Sequence, residues 1–452
     1  MTSKLSELAI GVQGKLLGPD VSYTGFSLDS RHIKPGQLFI AILGDRFDGH
    51  DFIKLAKQQG AAAALVDRPM AIDLPLLQVL DTRKALGALA KYHRHQFSIP
   101  IIALTGSCGK TTTKQMIVAI LHESGPVLTN HKNFNNDIGV PLTLLNLTAE
   151  HRYAVIEMGA NHLGEIAYLS QMTNPDVVLI TNIEPAHLQG FGSMAGIAQA
   201  KAEIFSGLPE KGVAVINADD NFAPTWQKQL ASYRVVGFGL SNKADFFATH
   251  IQMDAQGKAS FILHTPCGEE CTIGLTLPGQ HHVMNALAAA AAASQLGVGL
   301  AEIKAGLEKA QPVPGRINII TTKTGATIID DSYNANPSSV AAGLKLLAHY
   351  PGRHIFVMGD MSELGENADR YHREIGQLAK ELNLEEVYTC GALSALTAEE
   401  FGANAKHYTY QEELIPVLKR SLQNKVTVLI KGSRSARMDQ VVAALTEDDA
   451  LW

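Results

Sequence analysis

Residues 105–112 read Thr105-Gly106-Ser107-Cys108-Gly109-Lys110-Thr111-Thr112, directly after the apolar run Ile101-Ile102-Ala103-Leu104. The backbone amides of a glycine-bearing turn that opens a helix can wrap a phosphate, and the helix N-terminus adds partial positive charge. Lys110 reaches the outer phosphates and Thr111 offers a hydroxyl to Mg²⁺, so this loop predicts a nucleoside triphosphate site. The commoner spacing, G-x-x-x-x-G-K-[ST], would need glycine at 104, where this chain has Leu104; the loop is the tighter T-G-x-x-G-K-T-T. The plain alternative is a Gly-Lys-Thr turn opening an ordinary helix.

Further polar groups stand where strands should end. Val155-Ile156-Glu157-Met158-Gly159 places a carboxylate just past an apolar run, suited to hold Mg²⁺, and Thr181-Asn182-Ile183-Glu184-Pro185-Ala186-His187 does the same for His187. In open α/β sheets ligands bind outside the carboxyl ends of strands, which would bring both residues to the phosphate loop. A helix-capping carboxylate and a surface-loop histidine are the simpler readings. Lys201 lies among small and apolar residues in Gly196–Ile204. Periodicity there favours a solvated helix lysine, although a lysine in such a setting can also react as a neutral amine. Towards the C-terminus, Asp330-Asp331-Ser332-Tyr333-Asn334-Ala335-Asn336-Pro337 is denser in polar groups than a turn needs. Lys431-Gly432-Ser433-Arg434-Ser435 sets two cations beside hydroxyls as an anion cradle. Capped, solvated loops are the alternative for both.

These positions need a scaffold of alternating strands and helices. Ile101–Leu104, Tyr153–Ile156, Val177–Thr181 and Val213–Asn217 are near-continuously apolar, as parallel strands covered on both faces are. The alanine run at 286–293, broken only by Leu287, predicts a close-packed helix. Pro312-Val313-Pro314-Gly315 is a linker signal, and beyond it Ala326–Ile329, His354–Met358, Glu386–Thr389 and Val426–Ile430 restart the alternation. Before residue 83, Gln37–Ile42 and Gly60–Asp67 carry shorter strand signals. The fold class is therefore α/β in three domains. A small N-terminal α/β domain spans 1–83, a central P-loop ATPase-like domain with a mostly parallel sheet spans 84–312, and a C-terminal Rossmann-like α/β domain spans 313–452.

The 452 residues carry 38 Lys plus Arg against 44 Asp plus Glu, a net charge of −6. That balance argues against a broad basic face for nucleic acid. The first residues lack the layout of a signal peptide, and no apolar run is long enough to span a bilayer. Four cysteines in a chain of this length point to a reducing compartment and a cytoplasmic protein. The C-x-x-x-C spacing of Cys267 and Cys271 has no second pair beside it and is read as coincidence.

Taken together, these segments resemble the Mur ligase family, which builds the peptide stem of bacterial cell-wall precursors, over nearly the whole chain. The resemblance implies ATP and Mg²⁺ as cofactors, with Thr105 to Thr112 as the ATP loop. It places Glu157 and His187 as Mg²⁺ ligands and Lys201 as a carbamylated lysine helping to hold a second Mg²⁺. His281 and Asn285, with Asn217 to Asp220, would line the adenine pocket, and Arg316 and Asp331 would reach the nucleotide on closure. Four segments, Asn133–Pro141, Asp330–Pro337, Gly359–Gly365 and Lys431–Ser435, are similar to those of the family member that adds D-alanyl-D-alanine to UDP-N-acetylmuramoyl tripeptide. Asn135, Asn136, Asn334, Asn336, Lys431 and Ser433 are the implied substrate contacts there, and Ser30, Arg31 and Asp48 those for the UDP-sugar.

The implied reaction passes through an acyl phosphate. The last domain would close about a hinge at 312–315, and Lys110, Lys201, His187 and Arg316 would act catalytically. A monomer is expected. Cys108 and His282 depart from the asparagine or serine, and the asparagine, more usual at those positions. The rival readings are a sister ligase adding another amino acid and a nucleotide-dependent switch without ligation.

Overall fold

The computed structural model describes residues 3–44, 47–131, 133–186, 188–240 and 243–446. His187 therefore lies outside the described residues.

The chain forms three α/β units. The first is a five-stranded sheet in the order Lys15–Leu17, Leu76–Gln78, Ala63–Val66, Leu38–Ile40, Phe26–Ser27, parallel except at its first pair. One face, including Phe39, Ala64 and Val66, has its own apolar core. The other face, through Leu38, Ile40 and Leu65, packs with Leu86 and Leu89 of the helix Thr82–Arg94 into a core shared with the second unit. Asp81 starts that helix by accepting from the amides of Arg83 and Lys84, a capping arrangement that satisfies two otherwise orphan donors.

The second unit is a nine-stranded sheet. It runs parallel from Val127–Thr129 through Tyr153–Glu157, Ile101–Thr105, Val177–Ile180, Val213–Asn217 and Arg234–Gly239 to Phe246–Met253. Two antiparallel strands, Lys258–His264 and Glu270–Pro278, extend its edge. This hairpin carries no continuous apolar run in the sequence, because its residues alternate between buried and partly exposed. Ile101–Thr105 lies between Tyr153–Glu157 and Val177–Ile180, where strand order reverses, so its carboxyl end opens a crevice. The alanine run lies in the helix His281–Ser294, with Ala286 and Ala288–Ala293 all buried against the sheet and the helix Lys110–His122. The helix Leu300–Lys309 crosses Lys110–His122 so closely at Gly306 that a Cβ there would lie 2.3 Å from the Ile120 Cα.

The third unit is a six-stranded sheet in the order Asn318–Thr321, Thr327–Asp331, Val426–Lys431, Arg353–Gly359, Glu386–Cys390, Ala405–Tyr408. It is parallel except at its first pair and has an apolar core on each face. At the predicted linker, Arg316 N donates to Val313 O across a tight turn in which Gly315 has φ +73°. The second and third units also meet away from the crevice, where Tyr350 OH donates to Gln256 O (3.0 Å) and His349 Nε2 lies 2.7 Å from Asp254 O.

Candidate active site

The phosphate loop begins where strand Ile101–Thr105 ends, and two of its residues must be glycine. Gly106 (φ +146°) leaves no room for a Cβ, which would sit 2.0 Å from Thr181 Oγ1; Gly109 (φ +78°) would bring one 2.5 Å from Asn285 Oδ1. Neighbouring strand exits fix the loop's shape. Ser107 N donates to Asn182 O (2.9 Å) and Cys108 N to Asn182 Oδ1 (2.8 Å), while Thr181 Oγ1 donates to Cys108 O (2.7 Å). The helix Lys110–His122 has no side-chain cap, so its first amides point out of the loop as anion donors. Lys110 Nζ arches back over the loop and donates to Gly106 O (2.6 Å) and Ser107 O (3.1 Å).

Behind the loop lies a buried polar cluster. Lys114 Nζ donates to Asn130 O (2.9 Å) and is 3.5 Å from Glu157 Oε2. Asn130 clamps the Glu157 backbone, accepting from its N–H and donating to its carbonyl, and Asn135 Nδ2 donates to Glu157 Oε1 (2.9 Å). Glu157 Oε2 is buried without a hydrogen bond. Its charge is met by the Lys114 ammonium 3.5 Å away, and a divalent cation bound by oxygen ligands would add a closer partner. The Glu157 carboxylate and the Thr111 hydroxyl are oxygen donors of the kind Mg²⁺ takes. Among the described residues no group of three His, Cys, Asp or Glu side chains forms a metal site alone. Lys201 is 1% exposed, its ammonium facing the Phe191 ring at 5.2 Å. Burial, with Lys110 nearby, lowers its pKa to about 7 against the opposing pull of Glu165 and Glu203.

Facing the loop across a cavity of about 770 Å³ are the strand exits of the third unit. Lys431, 1% exposed, pairs with Asp331 Oδ2 and donates to Asn334 O (3.0 Å). Burial pushes the Asp331 pKa up, while Lys431 and then Arg316 act the other way. Burial lowers His281 to about 4, helped by Lys431. His282 is driven well below the ordinary histidine value by burial and then by His281, and its Nδ1 lies 3.1 Å from Asn285 Nδ2. Ser362 Oγ donates to Ser433 Oγ (2.9 Å) and lies 2.7 Å from Ser435 Oγ, so the second cradle is a hydroxyl cluster beside the lysine.

Comparison with known proteins decides the family. Three family descriptions match in order: "Mur ligase family, catalytic domain" over residues 22–94, "Mur ligase middle domain" over 104–293 and "Mur ligase, glutamate ligase domain" over 315–434. The UDP-N-acetylmuramoyl-tripeptide–D-alanyl-D-alanine ligase of Escherichia coli K12 is 46% identical, with 98% of each chain covered. The chain belongs to the Mur ligase family. The protein of the same name from Bacillus subtilis 168 is 36% identical, again over 98% of each chain. Among solved structures, MurF from Acinetobacter baumannii superposes with a TM-score of 0.93 at 39% identity over 99% of both chains. MurF from Thermotoga maritima in complex with ADP gives 0.82 at 29% identity over 94% of this chain and 97% of that one.

The cavity of this Mur ligase brings together many of the residues singled out from sequence. Ser107, Cys108, Gly109, Lys110 and Thr112 line it from the loop, and His281 and Asn285 from the alanine-rich helix. Arg316, Asp331, Asn334, Asn336, Lys431 and Ser433 line it from the third unit. Other candidates stand elsewhere. Thr105 Oγ1 donates to Met158 O (2.8 Å), tying two strands together. Asn136 Oδ1 accepts from Gly139 N (2.9 Å) at the start of the helix Gly139–Leu144. Ser30, Arg31 and Asp48 lie in the first unit and do not line this cavity. Arg31 is paired with Asp29 (2.9 Å); the Asp48 carboxylate accepts from His50 N (2.9 Å) and pairs with Arg68.

The solvated reading of Lys201 is overturned. The turn of helix carrying it packs inward, where Ile197, Ala198, Ala200 and Ala202 are also buried, so small neighbours mark a close approach rather than a surface. Lys114, Asn130 and the side chain of Asn182 belong to the site although no sequence motif above marks them. Lys114 did carry a signal, standing one helical turn after Lys110 on the same face.

Proposed function

We infer that this Mur ligase joins D-alanyl-D-alanine to UDP-N-acetylmuramoyl tripeptide at the expense of ATP, giving the UDP-pentapeptide precursor. The observation that carries the reading is the full-length match to ligases of that name. The tight phosphate loop facing the cradle of Asn334, Asn336 and Lys431 across one cavity agrees with it.

A carboxylate is a poor acyl donor. In the first step the terminal carboxylate of the tripeptide attacks the γ-phosphorus of ATP, the bond to the β–γ bridging oxygen breaks, and ADP leaves an acyl phosphate. We assign the helix amides after Gly109 and the Lys110 ammonium to the phosphates, with Lys110 leaving its own loop carbonyls to follow the γ-phosphate. Mg²⁺, held by Thr111 and Glu157, would neutralise charge on the phosphate oxygens. The amine of D-alanyl-D-alanine, in its neutral form, then attacks the acyl carbon; the C–N bond forms, the acyl C–O bond to phosphate breaks, and the departing inorganic phosphate takes up the proton that the nitrogen gives up. Arg316 and Lys431 on the closing wall are the cations for phosphate and for the dipeptide carboxylate. The closed cavity keeps the acyl phosphate from water. His281 and Asn285 belong to the nucleotide side of the cavity, and Ser30, Arg31 and Asp48 to the UDP-sugar side.

The residues favour the cytoplasm as the place of reaction: all four cysteines are free thiols. No helix of the described residues is long and apolar enough to cross a membrane.

Phosphate release from ATP, measured with UDP-N-acetylmuramoyl tripeptide while D-alanyl-D-alanine is added or withheld, tests the reading. Sustained release should require both, with the UDP-pentapeptide seen by mass spectrometry. Release needing neither would make the chain a nucleotide switch, and release with a different amine a sister ligase.

A further inference from the structure

We propose that Glu184 is a positioning residue that latches the C-terminal domain onto the phosphate loop, with Cys108 as the second point of the same latch. The proposal rests on the ligase reading above and concerns how that site is assembled.

Glu184 is bound to the loop by its backbone and to the opposite domain by its side chain. Ser107 Oγ donates to Glu184 O (3.0 Å) and accepts from Glu184 N (3.0 Å), so a loop side chain sets the position of Glu184. Its carboxylate oxygen Oε2 accepts from Ser338 Oγ at 2.6 Å, across the seam between the two domains. Ser338 lies in the first turn of the helix Pro337–His349. A carboxylate there is favoured by the partial positive charge of the helix N-terminus as well as by the hydrogen bond.

The neighbouring residue makes a second bond across the seam. Asn336 caps the same helix: its Oδ1 accepts from Ser339 N (2.9 Å), which leaves the Nδ2 group to donate elsewhere. It donates to Cys108 Sγ at 3.0 Å. Burial raises the Cys108 pKa, so the sulfur stands there as a neutral thiol. One face of the phosphate loop is therefore the landing surface for one helix end. Whatever fixes the conformation of Ser107 and Cys108, a bound triphosphate above all, also fixes the groups that receive Asn336 and Ser338. In this way nucleotide binding and domain closure become coupled through named contacts. The unusual thiol at 108 finds its role here, as a neutral acceptor for an amide.

The test is a double-mutant cycle on the full chain, with Glu184→Ala, Ser338→Ala and the double variant, read by kcat and by small-angle scattering with tripeptide and a non-hydrolysable ATP analogue. Each single variant should lose roughly 10-fold in kcat, the order expected of one hydrogen bond to a charged group, and the double variant no more than either alone. Scattering should show a larger radius of gyration for Glu184→Ala than for wild type, and Glu184→Gln, which keeps an acceptor, should recover most of the loss. Additive effects in the cycle, or an unchanged radius of gyration, would overturn the latch. A folding defect is separated by the melting temperature, which the cross-seam bond should leave nearly unchanged. Wild-type phosphate release without the two substrates would instead strike at the ligase reading, leaving the scattering comparison to judge the latch.

Discussion

The guanidinium carbon of Arg316 lies 4.5 Å from the ring centroid of Tyr333, and that of Arg434 lies 5.9 Å from the same ring. Two cations that would repel each other share one aromatic ring as their support, both lining the cavity. Tyr333 N also donates to Gly315 O (3.0 Å), so the ring is anchored to the linker that carries Arg316. A cation over an aromatic ring contributes about 0.5–2 kcal/mol, which corresponds to roughly 2- to 30-fold. Tyr333→Leu should therefore raise KM for ATP or lower kcat by about 10-fold, whereas Tyr333→Phe, which keeps the ring, should stay near wild type. Steady-state kinetics of both variants decide this, and equal losses would refute the role of the ring.

Lys110→Ala should lower kcat by a factor of about 10³ or more, the scale expected when a group that stabilises transition-state charge is removed. Among the described residues Lys110 donates to the Gly106 and Ser107 carbonyls of its own loop, so the melting temperature should move little. Near-normal phosphate release from the variant would remove the loop from the catalytic assignment.

Lys201 makes two predictions with opposite signs. Its pKa of about 7 leaves a large neutral fraction at physiological pH, so it should react with dissolved CO₂; ¹³C-bicarbonate should give a carbamate signal by NMR, and activity should fall when bicarbonate is stripped. An unmodified lysine and indifference to bicarbonate would count against that. For stability, the native pKa is depressed below the ordinary lysine value of 10.5, so below pH 7 the folded protein carries the full penalty of a buried charge. The penalty declines as pH rises from about 7 to 10.5. Lys201→Met should accordingly raise the melting temperature most below pH 7, while abolishing ligation.

The Lys114–Glu157 pair is buried behind the loop, and Lys114 is 0% exposed. Removing one member of such a pair leaves an uncompensated charge, at a cost of about 3–5 kcal/mol. Lys114→Met should destabilise by that amount in urea unfolding. Glu157→Gln, which leaves the Lys114 ammonium buried without its carboxylate, should cost stability on the same scale and in addition raise the Mg²⁺ concentration needed for half-maximal phosphate release. Unchanged Mg²⁺ dependence in that variant would exclude Glu157 as a ligand.

Much of this ligase is determined locally and can be read along the chain. Gly106 and Gly109 are required by backbone angles and close approach, and Lys110 and Thr111 follow them at the spacing of a helix start. The near-continuous apolar strands Ile101–Thr105, Tyr153–Glu157 and Val177–Ile180 announce a parallel sheet with both faces covered, because no residue on them must meet water. The edge hairpin is silent in the same pattern, since half of it does meet water. Tertiary structure alone decided the rest. Whether Lys201 is solvated depends on what packs against its helix, and Lys114 acquires its meaning from Asn130 and Glu157, 16 and 43 residues away along the chain. The pairing of Glu184 with Ser338, and of Cys108 with Asn336, joins residues separated by 154 and 228 positions. No local propensity encodes such distances; they exist only once two separate sheets have folded and their strand exits have met across one cavity.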